Sequence, residues 1–161
     1  MTTDLHLTLR SAVLEEAAAF FTDCGTFGRE GSGLLAFATG DDGHWTSTRF
    51  VAPDQTGGRV DGGACWVQIT PAGERDMVVA LEPDERFLAR IHSHPAGAFH
   101  SVTDDRNPVL THQGAVSIVV PYFGLGLRRG LDACAVYRRT GQDWLDLPVG
   151  PKRDRWVSCC A

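Results

Sequence analysis

Apolar and polar positions along this chain switch repeatedly between a two-residue period and a helical one. Residues 4–9 (DLHLTL) alternate and predict a strand. Ser11 follows as a helix cap, and in AVLEEAAAFFTD the side chains of Val13, Ala17, Phe20 and Phe21 fall on one helical face. A glycine-rich stretch, 25–33, leads into a short apolar strand over 34–39. GDDG at 40–43 is a turn signal and predicts a hairpin to a strand over 45–52. The polar stretch PDQTGGRVDGG reads as a loop before a strand at 65–69. Pro suits a first helical position, so Thr70-Pro71 opens a helix reaching about Leu81. A strand at 86–92, an HSHP loop and a helix somewhere within 104–114 come next. If Asn107 caps that helix and Pro108 begins it, Asp104 stays in the preceding loop. The apolar, β-rich run 116–122 reads as a buried central strand, and strands at 133–139 and 144–147 close the pattern.

Strands with interspersed helices predict an α/β (α+β) fold: a mixed sheet packed against helices, in one domain over 1–150, with a polar tail at 151–161. The 161 residues, 43% of them hydrophobic, suffice for a core without disulfides. A net charge of −5 argues against a nucleic-acid partner, which demands a basic face. No stretch approaches the roughly 18–20 apolar residues of a membrane span. The start, MTTDLHLTLR, lacks the basic and apolar regions of a secretory signal. Five cysteines without C-x-x-C spacing indicate neither a disulfide framework nor a zinc ribbon, so a cytoplasmic setting is expected.

Chemistry concentrates at the end of the 86–94 strand. Alternation sends Phe87, Ala89 and Ile91 to one face and His92 and His94 to the other. Two positions apart, at roughly 6–7 Å along the backbone, the two imidazoles can converge on one metal ion. Imidazole nitrogen is a good zinc ligand, a carboxylate commonly supplies the third donor, and the fourth position is left for water. After a short loop, SVTD offers Ser101 and Asp104. His100, beside Ser101, is expected at the rim of the site. The spaced glycines of 124–130 lack the following helix that a dinucleotide-binding loop requires and read as a turn.

HSHP followed by SVTD resembles the signature of the JAB/MPN (JAMM) zinc metalloproteases. Glu30-Gly31-Ser32-Gly33-Leu34-Leu35 is similar to the glutamate-bearing segment upstream in that family, and VSIVVPYFG to the strand after its site. The three motifs occur in the family's order, and the β-α-β-β-β-α-β order of the predicted elements is similar to that family's fold over most of the chain, about residues 4–147. The resemblance implies an MPN/JAB1-like fold, a Zn2+ cofactor, and His92, His94 and an aspartate as ligands. One departure concerns that aspartate. The loop between His94 and Ser101 is one residue shorter than usual, so Asp104 keeps the Ser–Asp spacing whereas Asp105 keeps the distance from His94. The first is favoured because a ligand and a serine on one short turn must keep their mutual geometry; Asp105 is the alternative.

The resemblance also implies roles. Zinc brings the pKa of water toward neutrality; Glu30 is the carboxylate that takes the proton and passes it to the leaving amine. Ser101 would donate a hydrogen bond to the tetrahedral oxyanion. The expected activity is that of an isopeptidase or peptidase cleaving after the C-terminal Gly of a ubiquitin-like protein. Activating (E1-like) and conjugating (E2-like) proteins would be possible partners, as in bacterial ubiquitin-like antiphage systems. Trimming of a sulfur-carrier protein and a non-catalytic MPN scaffold are the competing expectations. Amidohydrolases also use H-x-H, but their barrels need roughly 250 residues.

Overall fold

A computed structural model describes residues 5–59, 65–101 and 109–161. The first strand, β1 (Leu7–Arg10), runs directly into helix α1 (Ser11–Thr26). Ser11 does not cap this helix: it is the first helical residue, and its hydroxyl donates to the Cys160 carbonyl at 2.9 Å. Val13, Ala17 and Phe21 are buried on one face of α1, as their spacing predicts; Leu14 is buried with them, whereas Phe20 is partly buried and packs against the core. Strands β2 (Ser32–Thr39) and β3 (Trp45–Val51) form the hairpin around the GDDG turn. The stretch expected as a polar loop contains a strand, β4 (Gln55–Arg59), antiparallel to β5 (Cys65–Ile69) in a small second sheet. Its polar sequence hides the strand because neither face of this hairpin is buried in the main core. Helix α2 (Pro71–Ala80) begins where expected, with the Thr70 hydroxyl accepting from the Gly73 N–H at 3.1 Å.

Strands β6 (Glu85–Ser93), β7 (Val116–Val120), β8 (Ala135–Thr140) and β9 (Asp143–Asp146) continue the main sheet. A kinked 3₁₀ stretch, Tyr122–Arg129, whose backbone is non-helical at Phe123 and Gly124, and a short 3₁₀ turn, Leu131–Ala133, connect β7 to β8. Residues 109–114 are bends and turns without helix, and 104–108 lie outside the described residues.

Among the described residues the main sheet has eight strands, in the order β10-β1-β3-β2-β6-β7-β8-β9. It is mixed: β6–β7 and both pairings of β1 are parallel, and the others antiparallel. One face, carrying Leu35, Phe37, Ala89, Ile91, Val116, Ile118, Val120 and Val136, packs with α1 into the core.

Simple alternation over 86–94 sends Phe87 to the core, but the β2–β6 register jumps from Leu35↔Ala89 to Ala36↔Phe87. The extra residue, Leu88, forms a bulge and takes the core place instead. The segment 151–161 is not a tail. It contains a short helix, α3 (Pro151–Asp154), and strand β10 (Val157–Cys160), which pairs in parallel with β1. Val157 is buried, and the buried Arg153 guanidinium donates to the carbonyls of Leu147, Leu131 and Cys134. Those three bonds satisfy a charge whose nearby carboxylate, Asp132, stands 3.9 Å off.

Candidate active site

Past the Leu88 bulge, β6 alternates regularly. Ala89 and Ile91 enter the core, so Arg90 and His92 turn to the opposite face, and His94 extends it just beyond the strand end. The His94 N–H donates to the Val120 carbonyl at 2.8 Å, and its own carbonyl accepts from the Phe123 N–H at 2.8 Å. Tyr122 N–H donates to the Ala96 carbonyl at 3.0 Å. Both donors, Tyr122 (φ 56) and Phe123 (φ 51), hold left-handed backbone, which costs on the order of 1–3 kcal/mol at a non-glycine residue. The strained turn aims two N–H groups at the segment that carries His94.

His92 (1% exposed) and His94 (6%) are both buried, and their Nε2 atoms lie 3.3 Å apart. Two nitrogens each about 2.05 Å from one tetrahedral zinc ion would be about 3.35 Å from each other. The pair therefore has the bite, and the borderline nitrogen chemistry, of two ligands to a single ion. Among the described residues no group of three His, Cys, Asp or Glu side chains could hold a metal. The expected third donor, Asp104 or its alternative Asp105, lies outside those residues.

Glu30 is held near the histidines by its neighbour. Gly31 N–H donates to Ser93 Oγ at 2.9 Å, and Ser93 N–H donates back to the Gly31 carbonyl at 2.9 Å. Ser93, the middle residue of HSH, is thus the fully buried peg that ties the glutamate-bearing turn to the histidine strand. A Cβ at position 31 would stand 2.8 Å from Phe21 Cδ1 and 2.9 Å from Phe20 Cε1 of α1, so any larger residue there has to displace those rings. One residue on, the Gln55 amide pairs with the backbone of Ser32, accepting at 2.7 Å and donating at 2.8 Å.

Glu30, His94 and Ser101 line one cleft of about 850 Å³. Its walls include all of β5 (Cys65–Ile69), Glu74 and Met77 of α2, Phe99 and Val109, with Ser32 and Arg90 also reaching it. A second cavity, about 440 Å³, lies between α1, residues 127–132 and β10 and holds none of the predicted site residues. His100 does more than sit at a rim: it stacks on Tyr137 and bonds Ser117. Sequence reasoning missed Ser93, Gln55 and Ser117. For Ser117 a signal existed, a single hydroxyl in the otherwise apolar strand VSIVV.

No family model matches the chain. It is 35% identical over 135 residues to the probable metalloprotease y4jG of Sinorhizobium fredii, a match that takes in 81% of this chain and 80% of that one. The chain belongs to that family of metalloproteases, and membership implies a hydrolase with a metal cofactor. Its fold is similar to the solution structure of protein DSY2949 from Desulfitobacterium hafniense, with a TM-score of 0.58 over 96% of this chain and 92% of that one at 16% identity. Among the described residues no helix is long and apolar enough to cross a membrane.

Proposed function

We propose that the chain is a JAMM-type zinc peptidase that cuts after the C-terminal Gly of a ubiquitin-like protein. The observation that carries the reading is the His92–His94 pair, whose Nε2 atoms are 3.3 Å apart, with His94, Glu30 and Ser101 together on one cleft. His92, His94 and Asp104 would hold the ion, with Asp105 as the alternative third ligand. Zinc bound there supplies Lewis acidity and brings the pKa of water toward neutrality. Glu30 accepts the proton of the attacking water and delivers it to the leaving amine. The Ser101 hydroxyl donates to the oxygen that becomes negative as the carbonyl carbon turns tetrahedral.

The shape of the approach supports the substrate class that the resemblance implies. A large side chain beside the scissile carbonyl would hold it away from the buried histidines, whereas a Gly-Gly tail can enter extended. β5 borders the cleft along its whole length, so such a tail can pair its backbone beside that strand. Specificity would then come from the globular body of the substrate docking outside the cleft. Incubating the zinc-loaded enzyme with a ubiquitin-like protein bearing a C-terminal extension should give one cut after the terminal Gly, read by intact mass. Equal rates on unrelated short peptides, or a cut elsewhere, would make it a general peptidase.

A further inference from the structure

Between His94 and Ser101 the chain has no regular structure, and Ala96, Gly97 and Phe99 are exposed. Ser101 nevertheless has to stand at a defined place on the cleft if it is to act there. At its start this loop is gripped by the left-handed turn, through Phe123 to the His94 carbonyl and Tyr122 to the Ala96 carbonyl. At its end the grip comes from the residue that immediately precedes Ser101. The His100 ring lies 4.2 Å from the Tyr137 ring at 26°, a stacked geometry, and meets Trp144 edge-on at 5.1 Å. Its Nε2 is 2.7 Å from Ser117 Oγ, and its backbone N–H donates to Tyr137 Oη at 3.2 Å.

The socket is built by the main sheet. Ser117 is paired across β7 and β8 with Tyr137, and across β6 and β7 with Arg90, so all three lie on the face that carries His92. Ser117 is 1% exposed in a central strand, a place where an apolar residue would otherwise pack and where a hydroxyl needs a partner. The His100 ring centroid lies 6.5 Å from that of His92. An imidazole so seated transmits the position of the rigid strands β7–β9 to the next residue of the loop.

We propose that His100 is a positioning residue, a peg in the Ser117–Tyr137–Trp144 socket that fixes where Ser101 stands on the cleft. This rests on the proposed hydrolytic role of Ser101, but its first test does not. In metal-free protein without substrate, the amide of residue 100, corrected for its intrinsic rate, should be protected about tenfold more in wild type than in His100→Ala or Ser117→Ala, while amides of β7 and β8 stay unchanged. The second test is kinetic. His100→Ala should lower kcat by about 10–10²-fold with KM within about threefold, because a misplaced group costs rate at unchanged binding. His100→Gln, which can keep the bond to Ser117, should recover part of the loss. In a Ser101→Ala background, His100→Ala should add less than about threefold. An unprotected His100 amide in wild type, or equal protection in the variants, overturns the anchor whether or not the protein hydrolyses anything. Protection together with equal rate losses in both Ser101 backgrounds overturns the link to Ser101.

Discussion

Replacing Ser93 by alanine removes one oxygen atom, and its consequence can be worked from the structure. The lost atom accepts the Gly31 N–H at 2.9 Å in a fully buried setting, and water cannot replace it without opening the turn between α1 and β2. Stranding a buried backbone donor costs about 1–3 kcal/mol. For a chain of this size each kcal/mol moves the melting temperature by about 2–4 °C, so Ser93→Ala should melt about 2–12 °C below wild type. The return bond from Ser93 N–H to the Gly31 carbonyl persists, so the turn should shift rather than detach. A shift of about 1 Å in Glu30, the next residue, can cost up to about 10²-fold in rate, so turnover should fall by more than stability alone explains. The control is Ser11→Ala, the same deletion at an exposed hydroxyl that donates to the Cys160 carbonyl. It should cost under about 0.5 kcal/mol, because water replaces the partner. Differential scanning calorimetry on both variants, with turnover measured well below either melting point, checks the argument. If Ser93→Ala melted within a degree of wild type, or Ser11→Ala cost as much, burial would not be what makes this bond matter.

Other outcomes are expected. His92→Ala and His94→Ala should each lose zinc by elemental analysis, since two protein donors hold a catalytic ion poorly; equal zinc in wild type and both variants would remove the metal site. Glu30→Gln should keep zinc and fold but lose turnover, because the amide cannot take a proton; a fully active variant would exclude it as the base. Asp104→Asn should cost zinc or activity far more than Asp105→Asn, and the reverse ranking would transfer the ligand role. The Glu85 carboxyl is held down to about 2 from 4.5, chiefly by hydrogen bonds from Arg49 and also by Thr48 and the Glu82 N–H, against the opposing effect of burial. Because the folded-state value is the lower one, its contribution is present above about pH 4.5 and is lost as the pH falls toward 2. Stability measured by denaturant should decline over that window, and Glu85→Gln should flatten the decline.

Much of the site is legible from sequence because the interactions that make it are local. A two-residue period turns Arg90 and His92 away from Ala89 and Ile91 whatever the rest of the chain does, and His94 follows two places on. Thr70-Pro71 opens α2 and GDDG closes the β2–β3 hairpin through contacts within a few residues. The bulge at Leu88 could not be read, because it exists only where β6 meets β2 and two strands of unequal register must share a ladder. The polar end of the chain could not be read as part of the sheet either. β10 exists because β1, about 150 residues earlier in sequence, offers an edge, and because carbonyls from three separate places converge on the Arg153 guanidinium. The same reason separates His92 and His94, visible as a motif, from Ser93–Gly31 and His100–Ser117, invisible as pairs. Alternation follows from backbone geometry at each residue, whereas a buried hydrogen bond between distant residues is created only when packing brings both out of water together.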